Sequence, residues 1–87
     1  MIEKDIEVVN RAGIHTRPAA MIVKAAAKYK SDLYLVRDGF SINAKSIIGV
    51  MTLAAEQGAI LTLRADGNDE SEAFNEMAEL FASGFGE

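Results

Sequence analysis

The chain has 87 residues, 49% of them hydrophobic and 25% charged; this is an ordinary globular composition, and the length suits one modest core, so we expect a single domain over residues 1–87. It has no cysteine, which excludes a disulfide framework and a thiolate metal site or nucleophile. Residues 1–45 carry eight Lys or Arg against five Asp or Glu, whereas residues 46–87 carry one Lys or Arg against eight Asp or Glu. This charge distribution disfavours nucleic acid as a partner, while the basic half suits phosphate or an acidic protein.

The N-terminal third predicts a strand followed by a helix. Ile2, Ile6 and Val8 fall at the period-two spacing of a strand with one buried face. From Thr16 to about Tyr29, apolar residues recur at the spacing of an amphipathic helix, and the small alanines among them predict a helix that lies close against a sheet. Residues 10–13 are expected to form the loop between these two elements.

The middle of the chain predicts a hairpin and a short helix. Leu33–Val36 and Phe40–Ile42 are strand-like, and the Asp38-Gly39 dipeptide between them is typical of a two-residue hairpin turn. Ser46 comes directly before an apolar run and is a good N-cap residue. We therefore expect a second helix to begin there, although Gly49 weakens it.

The C-terminal third predicts a fourth strand and a final helix. Residues 59–65 alternate like a strand, and Asp66-Gly67-Asn68 predicts a turn in which Asn68 caps the last helix. Gly84 is expected to end that helix. The resulting order is βαββαβα. One hairpin and short connections predict a two-layer α+β fold, a four-stranded antiparallel sheet with the helices on one face.

The most distinctive stretch is residues 13–20, Gly-Ile-His-Thr-Arg-Pro-Ala-Ala, which holds the only histidine and the only proline of the chain. Imidazole is nucleophilic and largely neutral near neutral pH, so His15 can accept an electrophilic group without a neighbouring base. The helix expected at Thr16 offers unpaired N–H groups and a positive dipole, which suit an anion. Pro18 fits a first helical turn and is expected to bias Arg17 away from the helical region, toward the imidazole. On these residues alone, a phosphate site and a surface histidine without a special role are about equally supported.

A second candidate site follows Ser46. On one interpretation Ser46 only caps its helix, and Ile47, Ile48 and Met51 belong to the core. On the other, these apolar residues stay exposed as a docking patch. The acidic residues between positions 66 and 72 lack the ligand spacing of a calcium site, so no metal site is predicted.

Two motifs carry a family resemblance. Residues 13–19, Gly-Ile-His-Thr-Arg-Pro-Ala, and residues 43–51, Asn-Ala-Lys-Ser-Ile-Ile-Gly-Val-Met, resemble those of HPr, the histidine-containing phosphocarrier family of the bacterial phosphotransferase system. The length, both motifs and their separation correspond, so the resemblance spans essentially the whole chain. It implies the HPr-like open-faced β-sandwich of four strands and three helices, which agrees with the order of elements predicted above.

The resemblance implies a phosphoryl carrier that acts as a substrate of other enzymes and is not itself an enzyme. Enzyme I, charged by phosphoenolpyruvate, would phosphorylate His15, on Nδ1 in the family, and the phosphoryl group would pass to an Enzyme IIA domain for sugar uptake. Arg17 would balance the phosphate charge, and the backbone N–H groups of Thr16 and Arg17 would hold the phosphate. No cofactor is implied.

The resemblance also implies regulation at Ser46, which an ATP-dependent HPr kinase phosphorylates in many members. The docking surface for Enzyme I and Enzyme II partners would then comprise Ala20, Ile47, Ile48 and Met51. A phosphoserine would place about two negative charges beside an apolar interface without unfolding its helix. We therefore expect phosphorylation of Ser46 to slow transfer to His15.

Two alternatives remain open. Residues 81–87 resemble the tails of the nitrogen-related branch of the family as much as those of the sugar branch, so the chain could serve a regulatory or nitrogen-type phosphorelay with no role in sugar transport. From another class, it could be a small-molecule-binding α+β regulatory domain in which His15 merely lines a pocket.

The setting expected for the protein is cytoplasmic. Residues 1–5 are charged and lack the apolar core of a signal peptide, and no run approaches the roughly 20 apolar residues of a membrane span. We therefore expect a soluble protein without membrane insertion. A monomer is expected of a transient shuttle.

Overall fold

The computed structural model describes residues 1–87. Its elements, in chain order, are β1 Ile2–Glu7, α1 Thr16–Ala26, β2 Asp32–Arg37, β3 Phe40–Asn43, α2 Ile47–Thr52, β4 Ile60–Asp66 and α3 Glu70–Ala82, followed by a 3₁₀ turn at Gly84–Gly86. The predicted βαββαβα order is confirmed. None of the helices combines the length and the apolar character needed to cross a membrane.

The four strands form one antiparallel sheet in the order β1-β4-β2-β3. Alternate residues of the central strands, such as Leu35 of β2 and Leu63 of β4, lie directly opposite each other and are fully buried beneath the helices. The outer face is polar, and there the guanidinium of Arg64 pairs with Glu3 at 2.8 Å. The predicted sheet with helices on one face is confirmed.

The β2–β3 hairpin has the turn that its sequence predicts. Asp38 and Gly39 have φ angles of 51° and 79°. Positive φ at both central residues characterises the turn type whose twist matches that of paired strands. Phe40 then lies opposite Arg37 in the antiparallel register.

Helix α1 lies close to the sheet because its buried stripe is made largely of small residues: Pro18, Ala19, Ile22, Ala25 and Ala26. The helix ends at Ala26, about three residues before the predicted end at Tyr29. In place of α-helical bonds, the N–H groups of Lys28 and Tyr29 donate to the carbonyls of Ala25 and Ala26, three residues back. These shorter bonds tighten the chain and turn it toward β2.

The start of α3 corrects the prediction for Asn68. Asp69, not Asn68, is the N-cap residue. Its carboxylate does not bond to α3; it accepts the N–H groups of Lys30 and Ser31, both at 2.9 Å, and the hydroxyl of Ser31. The Ser31 hydroxyl and the Lys30 N–H together lower the pKa of Asp69 from 3.8 to about 2. Asp69 therefore fastens the start of α3 to the loop before β2.

The C-terminal end folds back over the first loop. Gly84 ends α3 as predicted, with a φ of 62° that favours glycine. The next residue, Phe85, is buried edge-on against Phe81 with 5.0 Å between ring centroids. Gly84 also packs against Asn10 of the β1–α1 loop. Phe85 thus anchors the tail and brings Glu87 to the N-terminus of α1.

Candidate functional site

His15 occupies the N-cap position of α1. Its backbone is extended, with φ −102° and ψ −162°, and its carbonyl accepts the N–H of Ala19 at 3.0 Å. The imidazole makes no capping hydrogen bond, and 42% of the side chain is exposed. The backbone of His15 therefore begins the helix while its ring stays accessible from solvent.

The ring of His15 is held through one nitrogen only. Nε2 lies 3.1 Å from Oε2 and 3.3 Å from Oε1 of Glu87. Because an ionised carboxylate can only accept, this contact requires a proton on Nε2, and in the neutral imidazole the lone pair is then on Nδ1. The geometry therefore presents Nδ1 as the nucleophilic nitrogen.

A second contact fixes Glu87. Asn10 is buried, and its Nδ2 donates to Oε1 of Glu87 at 3.1 Å and to the carbonyl of Gly13 at 2.7 Å. Desolvation pushes the pKa of Glu87 upward, but the hydrogen bonds from His15 and Asn10 and the charge of Arg17 outweigh it and lower the pKa. Glu87 is therefore held ionised beside the imidazole.

Arg17 is the second residue of α1, which corrects the expectation that Pro18 keeps it out of the helix. Pro18 is the third helical residue, still within the first turn, where its missing N–H costs no hydrogen bond. The Arg17 side chain is exposed and makes no ion pair. At the same helix end, the N–H groups of Thr16 and Arg17 precede the first intrahelical bond. His15, these N–H groups and Arg17 thus lie together at the N-terminus of α1.

The loop before His15 rests on the segment that follows α2. The N–H of Ile14 donates to the carbonyl of Ala55 at 2.8 Å. Gly13, with φ +70°, approaches the same carbonyl so closely that a Cβ at position 13 would lie 2.4 Å from the oxygen. Only glycine satisfies both the backbone conformation and the contact.

Ser46 is the N-cap of α2, as predicted, and its exposed hydroxyl accepts the N–H of Gly49 at 3.1 Å. Of the helix that follows, only Val50 is buried. Ile47, Ile48 and Met51 are exposed by 45%, 76% and 38%, so the interpretation that they belong to the core is wrong.

Helix α1 packs beside α2 and exposes Ala20. We call the four exposed residues Ala20, Ile47, Ile48 and Met51 the apolar patch. All four belong to two neighbouring helices, one of which begins at His15.

Sequence reasoning missed three residues at the site: Asn10, Ala55 and Glu87. Asn10 falls in a predicted loop, where an asparagine indicates a turn but no contact with the site. Ala55 contributes a backbone carbonyl, which leaves no trace in side-chain chemistry. Glu87 is 72 residues away along the chain, and no local pattern predicts its contact with His15.

The surface grooves lie elsewhere. There are two, with volumes of about 530 and 270 Å³; the first runs along α3 and the second lies between α1 and α3. His15 lines neither of them. This arrangement weighs against a small-molecule pocket built around the histidine.

The chain matches a known family over nearly its full length. The family model described as PTS HPr component phosphorylation site matches residues 2–83. The chain is 48% identical to phosphocarrier protein HPr of Treponema pallidum (strain Nichols) over 87 residues, covering 100% of this chain and 99% of that protein. It is 44% identical to HPr-like protein Crh of Bacillus subtilis (strain 168), covering 90% of this chain and 92% of that protein.

Solved structures agree. The crystal structure of HPr-C-His from Thermoanaerobacter tengcongensis matches with a TM-score of 0.96 at 44% identity and covers 100% of this chain and 98% of that one. The crystal structure of an HPr dimer from the same bacterium matches with a TM-score of 0.81 at 44% identity, and the match covers 100% of this chain and 100% of that one. With its fold, its exposed N-cap histidine and these likenesses, the chain belongs to the HPr family of phosphocarrier proteins of the phosphotransferase system.

Proposed function

We propose that His15 accepts a phosphoryl group on Nδ1 from phosphorylated Enzyme I, whose own donor is phosphoenolpyruvate, and passes it to Enzyme IIA domains for sugar uptake. The observation that carries the proposal is the ring geometry, in which Glu87 occupies Nε2 and Nδ1 is free. The carrier is one HPr domain over residues 1–87, a soluble cytoplasmic monomer that needs no cofactor.

The chemistry requires little of the carrier. The Nδ1 lone pair of His15 forms the new bond to phosphorus, the bond from phosphorus to its donor breaks, and the electron pair leaves with the donor. The proton on Nε2 stays in its hydrogen bond to Glu87 throughout. The reverse sequence delivers the group to the next acceptor.

The phosphoryl oxygens would be stabilised by three features of the α1 N-terminus. The N–H groups of Thr16 and Arg17 and the helix dipole act at short range, and the exposed Arg17 guanidinium supplies a full positive charge. The negative charge of the Glu87 carboxylate would repel the phosphoryl oxygens and partly offset this stabilisation. This partial compensation suits a carrier, which must bind its group firmly enough to hold it and loosely enough to give it away.

Docking of both partners is assigned to the apolar patch. It spans α2 and α1, the helix that His15 caps, and burial of its isoleucines and methionine against a partner would be favourable. The exposed basic residues of α1, Arg17 and Lys24, would add attraction to acidic partner surfaces.

Labelling tests the carrier role. The purified protein is incubated with radiolabelled phosphoenolpyruvate and Enzyme I, treated with acid and mapped by peptides, with His15→Ala as the control. We expect acid-labile label on the wild-type peptide that contains residue 15 and none on the variant. Label that survives acid, or label that persists in His15→Ala, would refute the carrier role.

Regulation is proposed at Ser46, as a substrate of an HPr kinase/phosphorylase. The support is its exposure at the start of the helix that carries most of the apolar patch. A phosphate there would be tolerated by the helix, yet it would oppose docking of an apolar or acidic partner.

A charge substitution tests this regulation. Ser46→Asp keeps an N-cap side chain and adds one negative charge, so we expect transfer from Enzyme I to slow by about fivefold or more without loss of helix α2. Ser46→Asn is the matched control, since it caps without charge. Transfer to Ser46→Asp at the wild-type rate would contradict the proposal.

A second candidate is a regulatory or nitrogen-type role without sugar transport, and the likeness to HPr-like protein Crh favours it. The same protein is incubated with ATP and HPr kinase in a parallel labelling reaction. Acid-stable label at Ser46 with none at His15 would establish the regulator. Sedimentation of the purified chain separately tests the monomer against a dimer of the kind known for the Thermoanaerobacter protein.

A further inference from the structure

We propose that Arg37, at the end of β2, is a positioning residue for His15: it clamps the segment between α2 and β4, and that segment holds the backbone beside the histidine. The kinetic part of the inference rests on the proposed function; the geometry does not. We call residues 53–56 the clamp segment.

Arg37 makes four hydrogen bonds to the clamp segment. Its Nη1 donates to the carbonyls of Leu53 and Ala54 at 3.2 and 3.3 Å. Its Nη2 donates to both carboxylate oxygens of Glu56 at 2.8 and 3.1 Å. The planar guanidinium can serve these acceptors together, which a lysine ammonium cannot match in geometry.

The clamp segment needs such support. Leu53 is the C-cap residue of α2, and Ala54 follows it with φ +48°, a left-handed conformation that a residue with a Cβ rarely adopts. The carbonyls at the end of a short helix lack intrahelical partners. Arg37 donates to the carbonyl of the C-cap residue Leu53 and to that of Ala54 just beyond it, and it places its positive charge at the negative end of the helix.

The next residue connects the clamp segment to the histidine. Ala55 is buried, its carbonyl accepts the N–H of Ile14 at 2.8 Å, and Gly13 packs directly on it. Ile14 immediately precedes His15. A displacement of the clamp segment is therefore transmitted through one backbone hydrogen bond and one close contact to the residue that reacts.

Arg64 supplies a matched control. It is an arginine of similar exposure whose Nε pairs with Glu3 at 2.8 Å on the outer face of the sheet. It makes no hydrogen bond to the clamp segment. Arg37→Gln and Arg64→Gln each remove one positive charge and an ion pair with a glutamate, but only the first releases the clamp segment.

The test compares these two variants and wild type by amide hydrogen exchange in the free protein and by the rate of phosphoryl transfer from Enzyme I. For Arg37→Gln we expect exchange at the Ile14 amide to accelerate by about tenfold and the maximal transfer rate to fall by about threefold. For Arg64→Gln we expect both to stay within about twofold of wild type.

Each result decides the proposal. Unchanged Ile14 exchange in Arg37→Gln, or equal effects of the two substitutions, would overturn it. A fall in transfer that appears only in KM, with unchanged exchange, would make Arg37 a docking residue instead. If wild type itself accepts no phosphate, the proposed function fails, while the Ile14 exchange still tests the clamp.

Discussion

At the scale of single residues, the position of His15 depends on two contacts that hold the chain on either side of its ring. Gly13 packs on the carbonyl of Ala55 before the histidine, and Glu87 binds the ring from the opposite end of the chain. The first contact fixes the backbone, and the second fixes the proton. Each can be removed separately.

Gly13→Ala removes the first contact. The new Cβ would lie 2.4 Å from the carbonyl oxygen of Ala55, and a φ of +70° is itself unfavourable for alanine. We expect the free energy of unfolding to fall by about 2–3 kcal/mol and phosphoryl transfer to slow. Chemical denaturation measures the first effect and Enzyme I-dependent labelling the second.

Gly39→Ala separates the two causes of the stability loss expected for Gly13→Ala, which are the unfavourable φ angle and the clash with the carbonyl of Ala55. Gly39 has φ +79°, but a Cβ there would meet no atom within 4 Å. Its substitution therefore carries the conformational cost alone, about 1 kcal/mol. Equal losses for the two variants would show that the contact with Ala55 contributes nothing.

Glu87→Gln tests the proton on the ring. An amide can donate as well as accept, so the substitution no longer restricts the proton of His15 to Nε2. We expect the ¹⁵N chemical shifts of the imidazole to move toward a mixture of tautomers and transfer to slow by about threefold. Glu79→Gln, an exposed glutamate of α3, is the control for lost charge. An unchanged tautomer in Glu87→Gln would contradict the role of Glu87.

At the scale of elements, α2 is unusual because a short helix leaves most of its apolar residues outside. Only Val50 faces the core, while Ile48 is 76% exposed. The exposed residues cost little stability in the free protein, and their burial against a partner is favourable. This exposure suits the docking role that we propose for the apolar patch.

Ile48→Ser tests the apolar patch. We expect transfer from Enzyme I to slow by about tenfold through a higher KM, with the free energy of unfolding changed by less than about 0.5 kcal/mol. Ile60→Ser is the matched control, because Ile60 is 54% exposed but lies on the outer strand face of β4. Transfer rates that fall equally in both variants would exclude a specific patch.

The sequence predicts elements well where the signal is local. Alternation, helical spacing, the Asp38-Gly39 turn and the Ser46 cap all depend on neighbours within a few residues, and the structure agrees with each of them. The predictions failed where a contact with a residue distant in sequence determines the local structure. Asp69 replaces Asn68 at the start of α3, where its carboxylate is bonded to the loop at Lys30, 39 residues away.

The same distinction between local and distant contacts holds for the candidate site. His15 and its helix could be predicted, because the motif is continuous in sequence. The partners that orient it could not, since Glu87, Asn10 and Ala55 reach it only through the folded tail and loops. The backbone conformation of Arg17 was predicted wrongly. Arg17 is helical, because the helix that follows outweighs the local effect of Pro18 on its neighbour.

At the scale of the whole molecule, several carboxylates are stabilised in their ionised form by the fold. Their pKa values are lowered by hydrogen bonds and neighbouring positive charges; the residues are Glu56, Asp69, Glu70, Glu76 and Glu87. A lowered pKa means that the folded state binds fewer protons than the unfolded state does. The folded state therefore loses stability as the pH falls.

Asp69 makes the largest defined contribution to this acid sensitivity, with a pKa of about 2 against an ordinary 3.8. Its stabilisation is complete above about pH 4 and is lost as the pH falls toward about 2, because both states are protonated below that value. We expect Asp69→Asn to lower Tm at pH 7 and to flatten the fall in Tm between about pH 4 and pH 2, as measured by circular dichroism. Asp66→Asn, at the exposed end of β4, should keep the wild-type slope. Parallel acid profiles for Asp69→Asn and wild type would mean that the bonds from Ser31 and Lys30 do not favour the carboxylate.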